Sequence, residues 1–408
     1  MTQEFSQKSA MKPMSLVRMT VFCKDSTVRR NKKLFILILI GFVVYLVYRI
    51  ARNPLHGYIR NIDRSLIDGH EISYFREKMV NNATFFSHIM SHQDFLHPDS
   101  KAAMEIYFRK QSQSFVFDLK DLVTDVGFNI EDDVIVYLHI QKTSGTSFNH
   151  HLVEDLELDK PCECPHDMIT NPCYCFTRKN TIWLFSWFTT GWPCGLHADW
   201  TELHECIDGA LDQIEKQHRK RRYFYITILR DPVDRYMSEW RHLFDGQHWR
   251  DALLRCEGQR PSLFDLRPCF REKTWEGVSF EEFMECQDNL ATNRMTRMLA
   301  DLTKSKCYHK RGIKEKDRRI IMLESAKEDL RQMVFFGLTE DYNHSKALFE
   351  HAFGLKFKKG LNVSKLEPEE KFYLNEIQFR EMLQYVELDV QLYLYAKNLF
   401  MQRSKQIQ

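Results

Sequence analysis

The chain has no excess of either charge. In 408 residues, 58 lysines and arginines stand against 56 aspartates and glutamates, a formal net charge of +2. A uniformly basic surface for nucleic acid is therefore not expected, although a neutral protein can still carry a local basic groove. The chain also lacks a Gly-Lys-[Ser/Thr] triplet and shows no clear magnesium-binding acid, which counts against an ATPase or a magnesium-dependent kinase. Its paired cysteines lack the spacing of structural zinc. Cys162 and Cys164 enclose one residue, as do Cys173 and Cys175, where thiolate pairs prefer two to four. Disulfides are the expected state, and no metal site is expected. The ten cysteines from Cys162 to Cys307 permit five bridges, whose pairing the sequence does not give.

One long apolar run is present, at residues 34–50, with a single arginine near its end. Arg29, Arg30, Lys32 and Lys33 precede it, and no small-residue cleavage site follows. This pattern predicts a signal-anchor transmembrane helix, with residues 1–33 as a cytosolic tail and the C-terminus lumenal. Cys23 would then be cytosolic and the other cysteines would lie in an oxidising compartment. Three sequons, at Asn82, Asn343 and Asn362, agree with a lumenal, glycosylated domain.

Residues 51–125 read as a stem and membrane-proximal region without a chemical motif. Residues 126–345 carry the α/β signals. The run 134–140 is a β-branched apolar strand, and 223–229 is a second, continuously apolar or β-prone like a buried parallel strand. Between them, Leu203, Ile207, Ala210, Leu211 and Ile214 recur at helical spacing. The order predicts a central parallel sheet flanked by helices, with right-handed crossovers. Residues 160–200 form a Cys-, Pro- and Trp-rich insert stapled by disulfides, in which Trp183, Trp187 and Trp192 read as packing. A third strand is expected at 318–324, followed by a helix at 325–333. Residues 346–408 read as a C-terminal helical region, with a helix starting at Pro368 and breaking near Val386.

Two short stretches carry chemistry. After the first strand comes a small polar loop, Lys142, Thr143, Ser144, Gly145, Thr146 and Ser147, and then a helix. Strand, loop and helix start make an anion cradle, with backbone N–H groups and a helix dipole facing the ligand and a lysine adding full charge. After the second strand, Arg230 sits where ligands bind in open α/β sheets. Pro232 can open a helix, and Ser238 lies about two turns along it. Arginine and hydroxyl can grip one phosphate together, or Arg230 and Asp231 can form an ordinary ion pair at a helix cap.

The run His139-Ile-Gln-Lys-Thr-Ser-Gly-Thr-Ser-Phe148 resembles the loop of sulfotransferases that binds the 5′-phosphosulfate of PAPS, the sulfuryl donor. The run from Leu229 to Glu239 resembles the segment that binds its 3′-phosphate. With the cysteine-rich insert, Cys194-Gly-Leu-His-Ala-Asp-Trp-Thr-Glu202 and Asp288-Asn-Leu-Ala-Thr-Asn-Arg-Met-Thr-Arg297, the resemblance is closest to the heparan-sulfate 6-O-sulfotransferase family. It implies a P-loop-like PAPS-binding fold and a Golgi type II membrane enzyme. That enzyme would move sulfate from PAPS to the 6-hydroxyl of glucosamine in heparan sulfate, without a metal. Alternatives are a heparan 2-O or chondroitin sulfotransferase, or a non-catalytic heparan-binding Golgi protein. Lys142 is expected to stabilise charge on the bridging oxygen, and residues 143–147, Arg230 and Ser238 to hold PAPS. His151, at the matching family position, is expected as the base, with His150 as the alternative. His197, Asp199, Trp200, Arg294 and Arg297 are expected at the acceptor, with Lys304, Lys306, Lys310 and Arg311 as weaker candidates. The family more often has glycine where this chain has Ser144, and serine fits there unless the position needs positive φ.

Overall fold

The computed structural model describes residues 115–166, 172–360 and 374–407. Four strands form one sheet: β1 (Val134–Tyr137), β2 (Leu184–Phe185), β3 (Tyr223–Leu229) and β4 (Phe335–Leu338). Their order is β2-β1-β3-β4 and every neighbouring pair is parallel. Every residue of β1 and β4 is buried, as are the last four of β3. A sheet covered on both faces favours such unbroken apolar runs. From β1 the chain crosses to β2 on one side and then returns to β3 on the other. The reversal leaves a crevice at the carboxyl ends of β1 and β3, where open α/β sheets bind ligands.

Ordinary capping chemistry sets the helices. α1 (Leu119–Leu122) precedes the sheet and α2 (Gly145–Glu154) follows β1. After β2 come α3 (Trp187–Thr190) and α4 (Trp200–Glu215). Asp199 and Glu202 form a capping box at the start of α4, satisfying amides that the first turn leaves open. After β3 comes α5 (Pro232–Phe244), capped by Asp231 with Pro232 in the first turn. Next are α6 (Phe280–Glu285), α7 (Arg294–Leu299) and α8 (Glu315–Gln332). After β4 come α9 (Tyr342–Phe353), α10 (Glu376–Tyr385) and α11 (Glu387–Gln406). α11 closes the core. Asp389 accepts from Thr296 N–H at 2.8 Å, and the Arg403 guanidinium donates to the carbonyls of Asp121, Arg331 and Met333.

The strand expected at 318–324 lies inside α8 instead. Its apolar residues sit among helix-forming charged ones, and only Leu323 of that run is buried in the helix. A strand at that place in the sheet would need a continuous buried run. The sheet takes the four-residue run Phe335–Leu338, which was too short to stand out in the sequence. The break near Val386 is present, between α10 and α11. The helix start expected at Pro368 lies outside the described residues.

The transmembrane expectation is corrected. Among the described residues no helix is long and apolar enough to cross a membrane. The longest, α11, carries Glu387, Asp389, Lys397, Arg403 and Lys405, and each charge would be costly in hydrocarbon. The run expected to span, 34–50, lies outside the described residues. Among the described residues, therefore, the transmembrane helix, the signal anchor, the single-pass type II topology, the tie to the Golgi membrane and the Golgi location have no helix to rest on.

All ten cysteines from Cys162 onward pair. The bridges are Cys162–Cys175, Cys164–Cys173, Cys194–Cys206, Cys256–Cys307 and Cys269–Cys286. Asn343 is exposed in the first turn of α9, while Asn82 and Asn362 lie outside the described residues.

Candidate active site

The loop after β1 is built around a steric requirement. A Cβ on Gly145 would lie 2.2 Å from His139 Cδ2 and 2.8 Å from the Tyr137 hydroxyl. The ring of His139 and the phenol of Tyr137 therefore leave room for backbone alone. Lys142 and Ser144 both sit in the left-handed region, at φ 65° and 61°, and these two reversals carry the chain from β1 into α2. Fully buried Thr143 pins the turn: its hydroxyl donates to the Ile140 carbonyl at 3.0 Å, and its carbonyl accepts from Thr339 at 2.9 Å. Ser144 is the N-cap of α2 and makes no side-chain cap bond. The first-turn N–H groups of Gly145, Thr146 and Ser147 have no carbonyl within the helix to bond, and they lie in the connection that leaves the carboxyl end of β1.

The second motif meets the first. Arg230, the residue after β3, donates from Nη1 to the Lys142 carbonyl at 3.2 Å. Asp231 caps α5, its carboxylate accepting from Val233 N–H at 2.9 Å. Burial, with Asp234 and Glu340 nearby, pushes the Asp231 carboxyl up to about 7. Ser238 is half-buried on α5.

Beside this loop lies a cavity of about 350 Å³ whose inner face includes Gln141, His197, Asp199, Glu239, Arg294 and Arg297. His197 Nδ1 is 3.0 Å from the His139 carbonyl. A carbonyl only accepts, so Nδ1 carries the proton and Nε2 keeps its lone pair. Burial lowers the His197 pKa to about 4, despite that hydrogen bond. The ring packs against Trp192 and Trp249, at centroid distances of 4.8 and 5.9 Å. Trp249 also stacks on His242 at 4.7 Å, and His242 is lowered to about 4 by burial and by the nearby Lys142 charge. Lys142 thus lies within electrostatic reach of His242, which stacks on the cavity-lining Trp249.

A buried ion network forms the floor. Glu239 takes hydrogen bonds from Arg235 and from Arg294, the latter through Nε at 2.8 Å. Burial alone would raise the Glu239 carboxyl, but the two guanidinium groups hold it down to about 2. Arg297 donates to the Leu290 carbonyl at 3.0 Å. Asp199 accepts from Tyr308 at 3.2 Å, and burial with Glu202 alongside raises its carboxyl to about 7.

The structure separates other residues that the sequence grouped here. Trp200 packs on His204 and Tyr225, at 4.2 and 4.8 Å, against the face of β3 and outside the cavity lining. His151 lies outside that lining too, with Nδ1 2.5 Å from the Asp155 carboxylate. Lys304 pairs with Asp301 and Lys310 with Asp288, while Lys306 and Arg311 line a separate hollow. The sequence gives no role to His242 or Trp249, and it includes Glu239 only as the end of the run resembling the 3′-phosphate segment. The i,i+4 spacing of Arg235 and Glu239 was the one available signal, and it does not by itself point to a cavity.

The sequence profile described as "Sulfotransferase family" matches residues 128–396. The chain is 45% identical over 293 residues to heparan-sulfate 6-O-sulfotransferase 1-B of Danio rerio, covering 71% of this chain and 72% of that protein. It is 44% identical over 310 residues to heparan-sulfate 6-O-sulfotransferase 1 of Homo sapiens, covering 75% of this chain and 73% of that one. It is 47% identical over 300 residues to heparan-sulfate 6-O-sulfotransferase 2 of Danio rerio, covering 71% of this chain and 63% of that one.

Proposed function

The chain belongs to the sulfotransferase family and, within it, to the heparan-sulfate 6-O-sulfotransferases, and on that premise we propose how its residues divide the work. The enzyme transfers a sulfuryl group from PAPS to the 6-hydroxyl of glucosamine in heparan sulfate. PAPS supplies the activated sulfuryl group and leaves as PAP. The residues present fit such a donor, because the first-turn N–H groups of Gly145, Thr146 and Ser147 are left open at the start of α2, and Gly145 lets that turn pack against His139 and Tyr137 where no side chain would fit. Among the described residues there is no cluster of metal-ligating side chains.

In this reading the N–H groups of Gly145, Thr146 and Ser147 hold the 5′-phosphate, with Thr143 and Ser144 shaping the turn. Arg230 and Ser238 hold the 3′-phosphate. Lys142 stabilises the charge that develops on the leaving oxygen, where preorganised cations act most strongly. Arg294 and Arg297 supply the positive side of the acceptor cavity, and Asp199 accepts from a sugar hydroxyl.

The base is His197. It lines the acceptor cavity and its proton-bearing Nδ1 is committed to the His139 carbonyl, which leaves a neutral Nε2 to take the proton of the sugar hydroxyl, as a weaker base than an ordinary histidine because burial lowers its pKa to about 4. His151 is the second reading, favoured by the Asp155 carboxylate that orients its ring. The position of His197 at the cavity carries the assignment. His197→Ala should lose turnover by about 100-fold or more while still binding PAP, and His151→Ala should retain most of it. The reverse pattern returns the role to His151.

The reaction is tested on the full chain with sulfur-labelled PAPS and desulfated heparan sulfate or chondroitin, followed by disaccharide analysis. Label on glucosamine O6 is expected. Label confined to uronic acid O2 or to chondroitin would overturn the acceptor.

A further inference from the structure

The acceptor cavity has two unlike sides. Its inner face comes from helices and strand ends of the core. Its outer wall comes from the chain between Phe244, the end of α5, and Phe280, the start of α6, and includes Leu254, Leu263, Leu266, Arg267 and Cys269. This strap contains no helix or strand, only an isolated bridge between Cys256 and Gln259. Apolar burial does not fix its outer edge, since Leu263 and Phe264 are 73% and 78% exposed. Covalent and polar ties do that work. Cys256 is bridged to Cys307, and Cys269 to Cys286 just past α6. Arg255 N–H donates to Glu202 at 2.8 Å and Arg267 N–H to Asp288 at 2.9 Å. A loop without its own core gains definition when such links remove its alternatives.

We propose that this strap is the acceptor-specificity element of the enzyme, and that the Cys269–Cys286 bridge sets its shape. The inference rests on the cavity being the acceptor site, as argued above. Cys269 itself lines the cavity, so releasing its bridge widens the side on which the heparan chain is read. The donor loop after β1 and the Arg230 end of β3 share no bridge with the strap. The strap therefore governs which sulfation patterns are accepted, and the core governs donor binding and sulfuryl transfer.

The test is the full-chain double variant Cys269→Ser/Cys286→Ser, assayed on heparan oligosaccharides of graded sulfation, with PAP binding measured by calorimetry. Wild-type turnover on the same panel comes first, so that a failure of the acceptor reading shows there and not in the variant. Expected are a PAP Kd within about twofold of wild type, an acceptor KM about tenfold higher, and a smaller kcat/KM ratio between best and worst oligosaccharide. An unchanged KM and ratio, with PAP still bound, would overturn the proposal. Should the double variant lose PAP binding through misfolding, Leu266→Ala trims the wall while leaving both bridges intact. It should alter the same ratio with PAP binding unchanged, and an unaltered ratio would equally overturn the proposal.

Discussion

The proposed donor site and the proposed acceptor cavity lie side by side and are made in opposite ways. The proposed donor site uses two strand–turn–helix units, Val134 to Glu154 and Tyr223 to Phe244, each continuous in sequence, and its geometry follows from φ values, caps and one steric contact. The acceptor cavity draws Gln141, His197, Glu239, Arg294 and a disulfide-held strap together from distant parts of the chain. Phosphate recognition needs backbone amides in a fixed arc, which local structure provides. Recognition of a variable sugar polymer needs side chains from several elements, and a wall that can change without disturbing the sheet. The division allows acceptor preference to vary on an unchanged donor site.

The largest effect expected from breaking the donor half is in Lys142→Ala. Loss of a cation placed where charge develops should lower kcat on the order of 100- to 1000-fold, while PAP affinity falls much less. Single-turnover assays with PAP calorimetry would show this, and a parallel loss in both would make Lys142 a simple binding residue. Arg230→Ala comes next. Removing a charge-assisted contact of about 1.5–3 kcal/mol should weaken PAP by roughly 10- to 150-fold and leave the chemical step of the saturated enzyme nearly intact. A normal Kd would detach Arg230 from the 3′-phosphate.

The acceptor half breaks differently. A base must be neutral to act, and burial holds His197 near a pKa of about 4. The acid limb of kcat/KM should therefore fall with a midpoint near 4 and not near the ordinary histidine value of about 6.5. Activity is fully present above that midpoint and is lost as pH drops through it. A limb near 6.5 that vanishes in His151→Ala would shift the assignment to the second histidine.

This contrast also explains what the sequence disclosed. Both donor motifs and strands β1 and β3 were legible because each announces itself within a few residues. β4 was not, because Phe335–Leu338 is four residues long and signals little beside the apolar run at 318–324, which α8 absorbs. The sequence offered His197 for the acceptor site, and not as the base proposed above. Its qualification is a hydrogen bond to His139, 58 positions away, and no local pattern reports that. Trp200 shows the converse, since the sequence placed it beside Asp199 and the helix start turned it toward Tyr225 instead. The strap was invisible for a similar reason, because its order comes from bridges whose pairing no spacing rule supplies.

The smallest effect sharpens the comparison most narrowly. Ser144 sits at φ 61° with no side-chain cap bond to α2, so its Cβ brings left-handed strain of about 1 kcal/mol that glycine would not. Ser144→Gly should therefore stabilise the fold by up to about that amount. Glycine also loosens the unfolded chain, which cuts the gain. Denaturant unfolding of the two proteins measures the difference. If the donor loop is as locally determined as its geometry indicates, the substitution should leave the ranking of acceptor oligosaccharides untouched. A changed ranking would mean that the turn and the strap communicate across the cavity, and the two halves would then have to be treated as one.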